Sequence, residues 1–269
     1  MTSPGSRSRP PTVALVGPDG SGKSTVAQAV VKQIALPARY LYMGVNLESS
    51  RDMLPTTRLV LAAKRRGGGR ADMTARIAGV NDHGGRWTPI DSARSVARIS
   101  AWIAEEIFRA IVAARARRRG QLVVFDRHFF CDYYATDVRP VAAGEPRRRL
   151  ASRIHGAVLR RWYPRPDLTI MLDAPAEVLF ERKHEGTLEE IEERRRNYLS
   201  LADVLPRFVA VDGTRPLDEV VADVVARIEA FAAPGSALPT ESTPRSSDGR
   251  ESLSEEAAAF VPAHLPVDS

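Results

Sequence analysis

The chain has 269 residues, of which 43% are hydrophobic and 27% charged, as is typical of a globular protein with one sizeable α/β domain. No apolar run approaches the ~20 residues of a membrane span, the N-terminus lacks the apolar core of a secretory signal, and the single cysteine excludes an internal disulfide. These features predict a cytoplasmic protein. The net charge is +6, but the arginines are scattered among acids, so a nucleic-acid partner is not expected.

The two ends of the chain differ in composition from its centre. Residues 1–11 and 233–269 are rich in Ser, Pro and other small or polar residues, which predicts disordered tails without catalytic residues. Residues 12–232 are predicted to form one domain. Within it, residues 67–85 have glycines at both ends, which is compatible with a mobile flap and equally with a plain surface insertion.

Short apolar runs alternate with segments of helical periodicity through the predicted domain. The predicted strands are residues 12–16, 40–43, 121–125, 168–172 and 207–211. The predicted helices are residues 24–35, 90–119, 147–162, 175–183, 188–204 and 216–231. Apolar strands separated by helices form parallel sheets that are covered on both faces, so the sequence predicts an α/β fold with a five-stranded parallel sheet. The long helix is predicted to bury one apolar stripe, made of Val96, Ile99, Ile103, Ile107 and Ile111.

A glycine-rich motif follows the first predicted strand. Residues 17–24 read GPDGSGKS, the G-x-x-x-x-G-K-S pattern of a phosphate loop, and a predicted helix follows directly. This arrangement points backbone N–H groups at an anion, while Lys23 can reach the β- and γ-phosphates and the Ser24 hydroxyl can bind Mg²⁺. The chain has only four lysines, and one of them occupies the motif position. The motif therefore predicts that the protein binds a nucleoside triphosphate.

An acidic and a basic residue end the third predicted strand. Asp126 and Arg127 follow the apolar residues 122–125, so their side chains are expected at the carboxyl edge of the sheet, where α/β folds bind ligands. An aspartate there can hold Mg²⁺ or orient the nucleophile, and an arginine offers a planar fork for a phosphate. Without the phosphate loop, a polar strand end would be the simpler interpretation.

Three segments resemble the thymidylate kinase family, in the family's order along the chain. They are residues 17–25 (GPDGSGKST), 122–135 (LVVFDRHFFCDYYA) and 165–201, which includes RPDLTIMLDAP. The resemblance implies the phosphate-loop fold of nucleoside monophosphate kinases, with helices on both faces of the sheet. It also implies ATP- and Mg²⁺-dependent phosphorylation of a nucleoside monophosphate, with dTMP as the first expected acceptor.

The same resemblance implies roles for individual residues. Ser24 and Asp126 are expected to serve the metal, Arg127 to hold the acceptor phosphate, and Asp19 to contact a sugar hydroxyl of the acceptor. Residues 211–214 are similar to the family's adenine-side loop. The expected nucleotide contacts are Gly17, Pro18, Asp19, Gly20, Ser21, Gly22, Lys23, Ser24 and Thr25. The expected catalytic residues are Lys23, Asp126, Arg127 and Arg182.

Arg182 enters this set because the phosphate loop itself contains no arginine. In the family this implies that a lid supplies the positive charge, here residues 182–188, which begin with Arg182 and Lys183. The nearby run Arg194–Arg196 is a second candidate for supplying this charge, but the interpretation as a solvated helix face is favoured. There, i,i+4 pairing would neutralise it with Glu189, Glu190 and Glu192.

The acceptor side departs from the family pattern, which leaves three hypotheses open. The family's Arg-Glu-Pro-Gly-Gly segment after the second strand is replaced here by YMGVN at residues 42–46. The chain is therefore a nucleoside monophosphate kinase, a kinase of the same fold for a nucleoside, sugar or biosynthetic metabolite, or a non-catalytic ATP-binding regulator. The intact Lys23, Ser24, Asp126 and Arg127 disfavour the third hypothesis. A homodimer is compatible with each of them.

Two further residues lie beside the second motif. His128 fits a place in the acceptor pocket and a structural place equally well. Cys131 is predicted to be a small packing residue, because no activating histidine pattern accompanies it.

Overall fold

The computed structural model describes residues 9–44, 52–66, 89–141, 144 and 148–233. All of these residues belong to one compact unit, Met1–Leu238. Almost all of the predicted tails, and the whole of the predicted flap at 67–85, lie outside the described residues. The disorder of the tails and the role of the flap therefore stay predictions.

Five strands form one parallel sheet, as predicted. They are β1 (Thr12–Val16), β2 (Ala38–Tyr42), β3 (Leu122–Asp126), β4 (Leu168–Asp173) and β5 (Phe208–Asp212). Their order is β2-β3-β1-β4-β5, and all four neighbouring pairs are parallel. The apolar runs of the three inner strands, β1, β3 and β4, are buried, whereas the edge strands β2 and β5 are mostly half-buried or exposed.

The helices of the described residues connect these strands. They are α1 (Lys23–Gln33), α2 (Pro55–Arg66), α3 (Pro89–Arg118), α4 (Phe129–Asp132), α5 (Leu150–Arg161), α6 (Ala176–Lys183), α7 (Leu188–Leu199) and α8 (Leu217–Ala232). A π-helix, Tyr134–Val138, follows α4, and a 3₁₀-helix, Ser200–Asp203, continues α7. The predictions missed α2, α4 and the π-helix. Within the described residues, no helix is long and apolar enough to cross a membrane.

Helices cover both faces of the sheet, because alternate strand residues point to opposite sides. In β1, Val13 and Leu15 pack in one cluster with residues of α1 and α8. Ala14 and Val16 belong to a second cluster, with residues of α3, α4 and α5. The predicted two-sided α/β architecture is thus confirmed.

The predicted apolar stripe of the long helix is only partly right. Ile99 is buried, but Ile107 and Ile111 are 49% and 43% exposed. The buried face of α3 instead carries Trp102, Glu105, Glu106, Arg109, Val112, Ala113 and Ala116. The charged members can be buried because they have partners: Arg109 Nε donates to Glu105 Oε1 at 2.9 Å, and Glu106 Oε1 lies 2.8 Å from His155 Nε2.

The carboxyl ends of β1 and β3 bring the two sequence motifs to one edge of the sheet. Leu15 pairs with Asp126 in the β1–β3 register, so the loop after β1 lies beside the end of β3. After β1 the chain continues to β2, at one end of the strand order. After β3 it continues to β4, which lies toward the opposite end. In open α/β sheets, ligands bind in the crevice at such a reversal.

Candidate active site

The phosphate loop connects β1 to α1 and ends where the helix begins. Lys23 is the first residue of α1, and Gly22 before it has a left-handed backbone (φ 83°). No side chain caps this helix end, and its first turn contains no acidic residue. The first N–H groups of α1 therefore lack side-chain partners and carry the positive end of the helix dipole, which suits an anion.

Two glycines of the loop fit closely against its neighbours. A Cβ on Gly17 (φ 142°) would lie 2.5 Å from the Leu172 carbonyl oxygen of β4. A Cβ on Gly20 (φ 88°) would lie 2.7 Å from the Leu179 carbonyl oxygen of α6. Both the backbone conformation and the available space require glycine, so the motif's glycines let the loop pack on β4 and α6.

Lys23 is held inside the loop. Its side chain is buried, at 5% exposure, and Nζ donates to the Pro18 carbonyl oxygen at 2.6 Å. Burial, together with the positive charge of Arg127, lowers the pKa of Lys23 from 10.5 to about 8. A bound anion would stabilise the charged ammonium form of Lys23, so phosphate oxygens are suitable ligands at this position. Ser21 also lies in the loop, and its buried hydroxyl has no partner among the described residues.

Asp126 ends β3 with a fully buried carboxylate. Its Oδ2 accepts a hydrogen bond from the Tyr40 hydroxyl of β2 at 2.7 Å. Its Oδ1 is buried and has no partner in the described part of the chain. No group of three or more His, Cys, Asp or Glu residues in that part could hold a metal alone. One free carboxylate oxygen beside a phosphate loop does fit Mg²⁺, which proteins usually bind through one or two carboxylates and substrate phosphates.

Arg127 joins the second motif to the phosphate loop. It has a left-handed backbone (φ 71°), which is uncommon outside glycine and frequent at functional sites. Its Nη2 donates to Asp19 Oδ1 at 2.5 Å. Burial acts to raise the pKa of Asp19, but the positive charges of Arg127 and Lys23 outweigh it and hold this pKa well below its usual value. Asp19 is therefore an ionised bridge between the two motifs.

Asp132 is a polar residue near this site that the sequence analysis did not select. It ends α4, and its Oδ1 accepts from the Tyr198 hydroxyl of α7 at 2.9 Å. Burial raises the pKa of Asp132. Burial acts to lower the pKa of Arg127, but the negative charge of Asp132, followed by that of Asp19, outweighs it and raises this pKa. The sequence signal that could have identified Asp132 is its position as the acidic residue that follows the Asp126–Arg127 pair, at the end of the short helix α4.

The predicted lid at 182–188 is a short connection between two helices. Residues 182 and 183 still belong to α6, and α7 begins at Leu188 behind a capping box of Thr187 and Glu190. A cavity of about 100 Å³ lies between this connection and the phosphate loop. Its lining includes Asp19 and two basic residues, Lys183 and Arg194.

Arg182 is not among the residues that line this cavity. Its Nη1 donates to the carbonyl oxygen of Gly213 at 2.9 Å, in the loop that follows β5. The next residue, Lys183, forms an ion pair of 2.7 Å with Glu185. The structure thus brings Arg182 to the loop at 211–214, and its predicted catalytic role stays a prediction.

The prediction that Arg194–Arg196 pair with acids of their own helix does not name the main partners of two of the three arginines. Arg194, although 60% exposed, pairs with Asp19 Oδ2 at 3.2 Å. Arg195 donates to both oxygens of Asp173 at the end of β4, at 2.6 and 2.9 Å, and also contacts Glu192 at 3.3 Å. Helix α7 packs against β4, so these arginines face carboxylates at the sheet edge rather than only those of their own helix.

His128 and Cys131 are structural in their surroundings. His128 is 1% exposed and packs against the rings of Phe125 and Tyr163, and burial lowers its pKa to about 3. Burial likewise raises the pKa of the Cys131 thiol well above its usual value, as expected for an inert packing residue.

Comparison with known proteins finds thymidylate kinases among the relatives of this chain. No protein-family model matches the chain. The chain is 29% identical to the thymidylate kinase of Dinoroseobacter shibae over 239 residues, which are 85% of this chain and 98% of that protein. It is 28% identical to the thymidylate kinase of Leifsonia xyli over 81% of this chain and 93% of the relative. A probable thymidylate kinase of Archaeoglobus fulgidus is 32% identical over 43% of this chain and 57% of the relative.

Proposed function

We propose that the chain transfers the γ-phosphoryl group of ATP to a nucleoside monophosphate, with dTMP as the acceptor, because relatives that match 85% and 81% of it are thymidylate kinases. The observation that supports this most strongly is the bond between Arg127 and Asp19. It joins a phosphate loop, which suits the donor, to an arginine at the end of the neighbouring strand, which suits an acceptor phosphate. Such a juxtaposition is what direct phosphoryl transfer requires.

On the donor side, we assign phosphate binding to the loop at 17–25. The uncapped N–H groups of α1 and the ammonium of Lys23 would hold the β- and γ-phosphates. The exposed hydroxyl of Ser24 and the free Oδ1 of Asp126 would hold Mg²⁺. When bound, this metal neutralises charge that develops on the phosphates.

On the acceptor side, Arg127 would bind the phosphate and Asp19 a sugar hydroxyl of the same molecule. The Asp19–Arg127 bond keeps these two groups at a fixed spacing in the ligand-free chain. Arg194, which also pairs with Asp19, would limit the position of that carboxylate further.

Arg127→Ala is expected to raise the KM for the acceptor about tenfold or more, with a smaller loss of kcat and an unchanged KM for ATP. The reason is that a charged hydrogen-bond donor to the acceptor phosphate is lost, while the donor loop is intact. Steady-state kinetics with each substrate varied in turn measures this. Arg161→Ala, an exposed arginine of α5, is the matched control and should change neither KM. An Arg127→Ala enzyme with an unchanged acceptor KM would contradict the assignment.

Arg182→Ala is expected to lower kcat by about a hundredfold while changing the Kd for ATP little, if Arg182 neutralises the transferred phosphoryl group. Arg194→Ala, which removes the arginine that pairs with Asp19, is the comparison and should lose less. Single-turnover kinetics and ATP titration measure the two quantities. An equal loss of ATP affinity and turnover in Arg182→Ala would instead assign Arg182 to the loop at 211–214, where it already contacts Gly213.

The acceptor is tested by following ADP release with dTMP, dUMP, other nucleoside monophosphates and free nucleosides. We expect the highest kcat/KM with dTMP. A nucleoside or another metabolite as the best acceptor would favour the second hypothesis, a same-fold kinase. ATP binding without ADP release from any acceptor would favour a regulatory ATP-binding protein.

A further inference from the structure

The hydroxyl of Tyr40 contacts the carboxylate of Asp126. Tyr40 lies on β2, opposite Val124 of β3, and Val124 and Asp126 are on the same face of their strand. The Tyr40 hydroxyl therefore reaches the carboxylate along that face and donates to Oδ2 at 2.7 Å. The contact joins two residues that are 86 positions apart in the chain.

The direction of this hydrogen bond is set by its acceptor, a carboxylate oxygen. An ionised carboxylate can only accept, so the Tyr40 O–H must donate to Asp126. The hydrogen bond thus joins β2 to the end of β3 at this carboxylate.

The two carboxylate oxygens of Asp126 therefore differ in their hydrogen-bond partners. Oδ2 is occupied by the phenol, whereas Oδ1 is buried and has no partner in the part of the chain that the structure describes. An unpartnered buried carboxylate oxygen is costly unless a ligand satisfies it. A phenol that fixes one oxygen also fixes the direction of the other, because the carboxylate is planar.

We propose that Tyr40 is a positioning residue, which holds the Asp126 carboxylate so that Oδ1 remains directed to the metal of the metal–nucleotide complex. This inference rests on the proposed function, since it takes Asp126 as the metal-binding carboxylate. Hydrogen-bond partners of metal-binding carboxylates commonly have this orienting effect. A purely structural role for Tyr40, in packing β2 on β3, would affect folding but leave metal affinity unchanged.

The test is Tyr40→Phe, which keeps the ring and removes only the hydroxyl. Mn²⁺, which accepts the same oxygen ligands as Mg²⁺, allows binding to be measured by electron paramagnetic resonance in the presence of a non-hydrolysable ATP analogue. We expect the Mn²⁺ affinity of this complex to fall about tenfold, as for other orienting partners of metal ligands. The affinity for the analogue without metal and the melting temperature should stay close to those of the unmodified chain.

Two further variants separate positioning from other effects. Tyr163→Phe removes a buried hydroxyl for which no hydrogen bond is found among the described residues, and it should bind Mn²⁺ like the unmodified chain. Adding Tyr40→Phe to Asp126→Asn should produce no further loss, because Tyr40 is proposed to act through Asp126. If Tyr40→Phe does not fold, Tyr40→Gln, whose amide N–H can still donate to Asp126, is compared with Tyr40→Leu, which cannot donate, and an equal Mn²⁺ affinity in these two variants would overturn the inference.

Unchanged Mn²⁺ affinity in Tyr40→Phe, or fully additive losses in the double variant, would overturn the inference. Each of these results is compatible with an active kinase, so the proposed function would survive. Conversely, a chain that transfers no phosphoryl group but loses Mn²⁺ affinity on Tyr40→Phe would overturn the proposed function and leave the inference standing.

Discussion

Lys23→Met is expected to lower kcat by on the order of a thousandfold while the chain keeps its fold. Lys23 donates to the Pro18 carbonyl from a buried position, so its ammonium is already placed for the donor phosphates before they bind. Methionine fills a similar volume without the charge. The loss should therefore come from missing charge neutralisation in the transition state rather than from a cavity.

The pH dependence of ATP binding is a second test of the role of Lys23. Since the pKa of Lys23 is lowered to about 8, the ligand-free chain loses this positive charge as the pH rises through that value. ATP affinity should accordingly fall between about pH 7 and about pH 10, up to tenfold per pH unit above the pKa of Lys23. Calorimetric titrations across this range should show the fall in the unmodified chain, and a much flatter profile in Lys23→Met.

Lys32→Met is the matched control for this prediction. Lys32 lies on the same helix, α1, in its exposed last turn, so its loss should leave turnover and the pH profile unchanged. Turnover near that of the unmodified chain in a folded Lys23→Met would contradict the assignment of the phosphate loop.

Asp126→Asn is expected to reduce kcat by a factor of roughly a hundred to a thousand. Asparagine has nearly the same shape, and its carbonyl can still accept from the Tyr40 hydroxyl, so the sheet edge should be preserved. The negative charge toward the metal is lost, however. The Mg²⁺ concentration for half-maximal activity should therefore rise, while ATP affinity in the absence of metal changes little. Steady-state kinetics over a range of Mg²⁺ concentrations measures this.

Asp203→Asn serves as the control, since Asp203 is exposed in the 3₁₀-helix after α7. It should have normal kcat and normal Mg²⁺ dependence. Wild-type turnover in Asp126→Asn would mean that residues 122–128 are only a strand with a polar end.

The features that the sequence predicted are those encoded by neighbouring residues. The strand at Thr12–Val16, the glycine loop and the start of α1 are consecutive, and each is specified by local conformational preference. The strand ending in Asp126 could be found in the same way. Glycines at 17 and 20 are required by backbone geometry, which a motif reports directly.

The features that the sequence did not predict depend on partners far along the chain. Glu106 occupies the buried face of α3 because His155, 49 residues away, satisfies it, so the charged position cannot be recognised from apolar periodicity. Arg194 was assigned to its own helix but pairs with Asp19, 175 residues away. In both cases the packing of elements decided the partner, and no local pattern carries that information.

In the region expected to bind the acceptor, a long-range contact likewise could not be predicted from the sequence. The family's segment after the second strand is absent from this sequence, and of its replacement, YMGVN, the structure describes only the first three residues, 42–44. Arg109 Nη1 donates to the carbonyl oxygens of Tyr42 and Gly44 at 3.0 and 2.8 Å, so a buried arginine of α3 holds the end of β2. The helical pattern gave no indication of this contact.

The transfer reaction itself tests the central claim most directly. The purified full chain is incubated with Mg²⁺, dTMP and ATP that carries a label on its γ-phosphate, and the products are separated by chromatography. We expect the label to appear in dTDP at the rate of ADP formation, and we expect Lys23→Met to abolish both. Label found only in inorganic phosphate, or no labelled dTDP although another acceptor becomes labelled when it replaces dTMP, would contradict the proposed function.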